Sequence, residues 1–300
     1  MSRGGAAIVA ALLCGVVMAD DITVSRSVRS PDGQRKSSVA YRLASGKTSV
    51  GLRFDQMMAH NGKPMRMAFF AQNGAKDGIC DLINFFGLKV NGIAMDRLES
   101  TDMSSQVWDG TDGARGLEAK LNFDGARVAL RFYLRPERPF LYCEIEHDRK
   151  SDRMTSAVVR FTTLPSHFIV GKFHGYRREI RTARALYGAK PSVRHPLIKE
   201  DQYIIFQDAD FDGTTDASGK RRGNGPSVLL PDWRTFADGL TDEMSGNWTQ
   251  GVELRAKSGA ETLRFAIWEP RPSTLTNANV EERLGEFFCE KVTTTKGGSK

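Results

Sequence analysis

The chain has 300 residues, 40% of them hydrophobic and 26% charged, and a formal net charge of +7. That balance excludes a disordered or fibrous chain, and 4 cysteines over this length exclude a disulfide-built scaffold. The length suits one large domain or two smaller ones.

Residues 1–19 have the pattern of a secretory signal. Arg3 supplies the positive start, 6–19 carry no charge, and Val17-Met18-Ala19 fits a small-x-small cleavage site ahead of Asp20. The apolar run falls short of the roughly 20 residues that a membrane span needs. Leu13 before Cys14 stands where a lipoprotein signal has a small residue. The expectation is a cleaved leader, a secreted or periplasmic (cell-envelope) location, and no transmembrane segment afterwards. Cys80, Cys143 and Cys289 remain, an odd number that matches no zinc spacing and allows at most one disulfide.

Residues 20–292 read as a single β domain and 293–300 as a flexible polar tail. Period-two alternation, the mark of a half-buried strand, dominates the domain. Leu88 to Val90 and Ile93 to Met95 flank an Asn91-Gly92 turn. Leu117, Ala119, Leu121 and Phe123 alternate with Glu118, Lys120 and Asn122. Asp124-Gly125 is a strong two-residue hairpin signal, and Val128, Leu130, Phe132 and Leu134 follow. Leu141, Cys143 and Ile145 repeat the pattern, as do Val252, Leu254 and Ala256, then Leu263, Phe265 and Ile267 beyond Ser258-Gly259. Asp109 to Gly113 is an acidic turn. The stretch 177–187 fits either a helix or a strand. Val280, Leu284, Phe287 and Phe288 share one face of a C-terminal helix. The fold class is therefore mainly β: a large antiparallel β-sandwich, supersandwich or jelly roll, with one C-terminal helix.

The text LEAKLNFDGARVALRFYLRPERPFLYCEIE, at 117–146, resembles strand segments of galactose mutarotase-like β-supersandwiches. Such folds occur in sugar epimerases and in domains of glycoside hydrolases and polysaccharide lyases. The resemblance implies a carbohydrate-active fold. It carries no catalytic residue over, because that family's His and Glu pair has no match here.

Asp208, Asp210, Asp212, Gly213, Thr214 and Asp216 form the sharpest local motif. Alternate carboxylates on a tightly curled backbone suit a hard cation, and three so close repel one another unless a cation neutralises them. The expected ligands of a structural Ca2+ are Asp208, Asp210, Asp212, Thr214 and Asp216. Gly219 stands where an EF-hand has its bidentate Glu, and 202–206 reads as a strand, so this is not an EF-hand. An acidic surface turn is the competing reading.

Between Lys172 and Lys199 there are 8 basic residues and one acid, Glu179. His174, Tyr176, Tyr187 and His195 are interleaved with them. Arginine forks grip carboxylates and sulfates, and tyrosine faces suit sugar rings. Arg177, Glu179 and Arg181 share a face if this is a strand, a pattern similar to one in alginate-lyase jelly rolls. A lyase needs a base beside the uronate carboxylate and cations on the developing enolate. His174 or Tyr176 is the candidate base, with Arg177 and Arg181 as neutralisers. Arg178, Tyr187, Arg194, His195, Trp233 and Trp248 are candidate substrate contacts. A solvated basic loop, or an anchor to an anionic cell surface, is the plainer explanation.

The expected function is a secreted carbohydrate-active or carbohydrate-binding protein. Its partner is an extracellular, anionic polysaccharide, with lyase or hydrolase chemistry open, and not a nucleic acid. The alternative is a non-enzymatic envelope or extracellular interaction protein docking through the basic loop.

Overall fold

The computed structural model describes residues 22–29, 36–46, 48–57, 65–70, 83–163, 168–169, 172–173, 178–188, 193–208, 227–241 and 250–268. The first strands are β1 (Thr23–Arg29), β2 (Lys36–Ser45), β3 (Thr48–Met57), β4 (Met65–Phe70), β5 (Ile83–Val90), β6 (Ile93–Ala94) and β7 (Met103–Asp109). Next come β8 (Arg115–Phe123), β9 (Ala126–Leu134), β10 (Leu141–His147), β11 (Ala157–Thr163), β12 (Phe168–Ile169), β13 (Lys172–Phe173) and β14 (Arg178–Thr182). The last are β15 (Leu186–Gly188), β16 (Pro196–Leu197), β17 (Ile204–Asp208), β18 (Ser227–Pro231), β19 (Phe236–Thr241), β20 (Gln250–Ala256) and β21 (Thr262–Trp268).

Among the described residues these strands make a ten-stranded sheet, a nine-stranded sheet and a small β12–β13 ribbon. The first sheet runs β1-β2-β3-β4-β5-β11-β20-β19-β16, with β6 paired to β5. The second runs β15-β14-β17-β18-β21-β10-β9-β8-β7. The pairings are antiparallel, and the expected large antiparallel sandwich is what forms. Of the stretch 177–187, the described residues form strands β14 and β15 with a turn between them, not a helix, and Arg177 lies outside the described residues. The C-terminal helix expected over 280–288, the leader and the tail lie outside the described residues.

Alternation joins the sheets. On β8 and β9, Leu117, Ala119, Leu121, Phe123, Val128, Leu130, Phe132 and Leu134 are all at most 2% exposed. They share one cluster with Tyr41, Leu52, Leu88, Val159 and Leu254 of the ten-stranded sheet. Phe86 and Phe161 meet Phe132 and Phe265 across the interface. Ring centres stand 5.4 Å apart for Phe86–Phe132 and 4.8 Å for Phe161–Phe265, both edge to face, the arrangement that ring quadrupoles prefer. Polar contact also crosses: the Tyr41 hydroxyl donates to Ser105 Oγ at 2.8 Å. Cys143 is buried in this core, and burial pushes its thiol well above the usual range, so it acts as a small apolar side chain.

The turns follow their residues. Asp124 (φ 50) and Gly125 (φ 95) make the left-handed pair of a two-residue hairpin, and Asn91 (φ 49) and Gly92 (φ 85) do the same. Asn91 also accepts the backbone N–H groups of Thr155 (2.8 Å) and Ser156 (3.2 Å), tying its hairpin to the next loop. Asp109 to Gly113 is indeed a turn, closed by Gly110 N–H donating to the Ala114 carbonyl at 2.8 Å. The Ser258-Gly259 turn carries the chain from β20 in one sheet to β21 in the other.

Arg184, between β14 and β15, links the two sheets where β15 and β16 end them, through Asp201 and the Pro196 carbonyl of β16. Asp201 is fully buried and takes both Nε and Nη2 of Arg184 at 2.9 Å. It also accepts the Ile198 N–H at 3.0 Å. Burial alone would raise its pKa. The hydrogen bonds from Arg184, Ile198 and Thr182 outweigh that and hold the carboxyl below its ordinary value.

Two measurements follow. Phe132→Ala should lower unfolding free energy by about 3–5 kcal/mol in urea titrations, and an unchanged midpoint would contradict the cross-sheet packing. Asp201 has a depressed folded pKa, so its contribution is full above the unfolded pKa of about 4 and is lost as pH falls through the folded value. The stability gap between the parent chain and Asp201→Asn should be constant at neutral pH and shrink in strong acid. A gap independent of pH would contradict it.

Candidate functional site on the outer face

Side chains that alternate with the core leave the sandwich on the outer face of the nine-stranded sheet. Register sorts them into rows. One row is Gln106, Glu118, Arg131, Glu144 and Arg264, each opposite the next on adjacent strands. Arg131 donates to Glu118 (2.8 Å), Glu144 (3.1 Å) and Glu146 (2.7 Å). Gln106 donates to Glu118 at 3.2 Å and Arg264 to Glu144 at 2.7 Å. Glu118 is only 6% exposed, and a carboxylate that dry persists because its oxygens are hydrogen-bonded to a cation and an amide. Burial would lower the Arg131 pKa, but the bonds to Glu146 and Glu118 raise it further, so the guanidinium stays charged.

On one side of this row lies an aromatic row. Gly116 sits where a Cβ would come within 2.0 Å of the Phe132 carbonyl oxygen, so the β8 and β9 backbones approach closely there. Over that glycine the Trp108 and Tyr133 rings meet at 5.1 Å, and Tyr133 stacks on Tyr142 at 5.5 Å. Arg135 lies over both tyrosines, at 5.7 and 5.3 Å. Burial raises the Tyr142 pKa against the pull of Arg135 and Arg138. Beyond it Phe140, Ile205, Val228, Leu230, Ala266 and Trp268 form a second buried apolar cluster.

On the other side the row is Ser104, Lys120, Ala129, Glu146 and Thr262. Its small members leave a groove of roughly 720 Å³ between the charged row and the turns at 122–127 and 147–151. Arg127 pairs with Asp148 at 2.9 Å and Arg149 with Glu261 on its rim. His147 Nε2 lies 2.9 Å from the Asp152 carbonyl oxygen.

None of the sequence-chosen residues that are described lines this groove. Arg181 lies on β14 with Glu179 and turns away from inward-facing Ile180, so those two share the outer face as a strand requires. Gln207 donates to Glu179 at 3.0 Å. Arg178 pairs in register with Asp208, the last residue of β17. Tyr187 and His195 come together, stacked at 4.5 Å. Arg194 Nη1 is 4.0 Å from Glu253. Trp233 packs against the core and donates its indole N–H to the Asp201 carbonyl at 2.7 Å. His174, Tyr176, Arg177, Trp248, Asp210, Asp212, Thr214 and Asp216 lie outside the described residues. Among the described residues no group of three or more His, Cys, Asp or Glu is placed to hold a metal ion, and no helix is long and apolar enough to cross a membrane.

The groove residues were missed because they read only as the polar half of an alternation. A usable signal was present: a two-residue turn at Asp124-Gly125 pairs Phe123 with Ala126 and, counting back, Glu118 with Arg131.

No protein-family model matches the chain, and no curated protein matches it by sequence. Solved structures do match its shape. The ligand-free α-N-acetylgalactosaminidase NagBb from Bifidobacterium bifidum superposes with a TM-score of 0.53 at 9% identity, covering 83% of this chain and 38% of that one. Its GalNAc complex gives 0.50 at 7% identity, covering 88% and 39%. This chain thus spans about two fifths of those enzymes' length, and the likeness is one of fold: a β-sandwich also found as part of a carbohydrate-active enzyme.

Proposed function

We propose that the chain recognises a polysaccharide outside the cell, through the outer face of the nine-stranded sheet, on a galactose mutarotase-like supersandwich. The observation that carries this is the groove, set beside a charged row and an aromatic row on one rigid sheet. Saccharide sites combine the same elements: planar charged groups for hydroxyls and ring faces for C–H surfaces. The shared fold with part of an α-N-acetylgalactosaminidase supports the reading. The signal-like leader supports the location, and the basic segment 172–199 supports an anionic polymer. The carboxylate spacing at 208–216 supports a structural Ca2+ that orders this loop.

A second reading, a non-enzymatic docking protein, is favoured by Leu186 and Val193. They are 49% and 43% exposed within that same basic segment.

The test is a panel of acidic and neutral polysaccharides in affinity electrophoresis, with reducing-end and unsaturated-uronate assays for turnover, each with and without chelator. At least one acidic polymer should retard the protein, and chelator should weaken that retardation. A panel that leaves its mobility unchanged would remove the carbohydrate reading in favour of the docking one.

A further inference from the structure

We infer that the groove floored by Ala129 is a subsite for an uncharged, hydroxyl-rich sugar residue. The inference rests on the carbohydrate reading above and narrows it at this one place.

The groove's guanidiniums are already matched, although its five cationic side chains outnumber its four carboxylates by one. Its lining holds Lys120, Arg127, Arg131, Arg149 and Lys150 against Asp102, Glu146, Asp148 and Glu261. The three guanidiniums are each committed to carboxylates of the protein itself: Arg131 to Glu118, Glu144 and Glu146, Arg127 to Asp148, and Arg149 to Glu261. Lys120 stands 4.0 Å from buried Glu118. The carboxylate or sulfate group of an anionic sugar offers only acceptors here. Beyond the reach of Lys120 and Lys150 it would displace an internal carboxylate from its guanidinium, or lie beside Glu146, Asp148 and Glu261 as a like charge.

A hydroxyl both donates and accepts. It can give its proton to a carboxylate and take one from the neighbouring guanidinium without breaking the pair. A row of such pairs around a small floor therefore suits a neutral polyol. The Ala129 methyl offers an apolar patch for the sugar's C–H face, with Ser104 and Thr262 hydroxyls in the same row. The volume of roughly 720 Å³ falls within the usual range for small-ligand sites. An acidic polymer that also carries neutral residues would engage this groove and the basic segment together.

The experiment is calorimetric titration of the full chain with neutral hexose oligosaccharides and with uronate oligosaccharides, at about 0.05 M and 0.5 M salt. The variants are Ala129→Phe, which fills the floor, and Ser104→Trp, which crowds it from edge strand β7. Denaturant midpoints select whichever variant keeps the parent stability. Neutral oligosaccharides should bind with affinity that salt changes by less than about twofold, and the filled variant should weaken them by about tenfold or more. Neutral binding untouched by both substitutions overturns the subsite, as does a preference for uronates that collapses in high salt. In both of those cases the carbohydrate reading survives. Absence of binding by every saccharide overturns both.

Discussion

The structure depends on burying every second side chain between two sheets. Leu130, Phe132, Cys143, Ile145 and Phe265 from one sheet close against Leu88, Val159, Phe161 and Leu254 from the other, and all are nearly solvent-free. Neither sheet has another described layer to cover that apolar face, so each needs the other. Once alternation commits one set of residues to the interior, the other set is fixed on the outer face. What those residues are then decides what the surface can do.

On the nine-stranded sheet that outer set is ordered by register. Charged side chains line up opposite charged ones around Arg131, and rings line up opposite rings over Gly116. The Arg131 network carries a desolvation cost, and removing one member would leave Glu118 buried and uncompensated. Its value is positional: Glu144 and Glu146 are held at fixed points beside the groove. The rigid sheet supplies the precision, and the turns after β8 and β10 supply the walls. This division suits recognition of a shaped, hydroxyl-rich ligand.

Local features were legible in the sequence because local chemistry sets them. Asp124-Gly125 and Asn91-Gly92 declared their hairpins, and the Leu and Phe alternation of β8 and β9 declared which face is buried. The Glu118–Arg131 contact was within reach from hairpin register. Glu144 was not, because the link from β9 to β10 is not a two-residue turn and leaves register open. β14 was undecided for a related reason: it has five residues, with Ile180 its only large apolar one, too few to separate period two from period 3.6. The placement of β21 between β18 and β10 joins segments far apart in the chain, and no local pattern encodes it. The basic segment drew attention by its charge. Yet Arg184 serves to clasp buried Asp201, and Trp233 is anchored to the same residue, structural tasks that composition does not reveal.

Native-state hydrogen exchange tests the mutual dependence of the sheets most directly. The slowest amides of β9, β10 and β21 should exchange with the same free energy as those of β5, β11 and β20, and that value should equal the global unfolding free energy. One sheet exchanging through a lower-energy opening while the other stays protected would show that it stands without its partner, and would contradict the account.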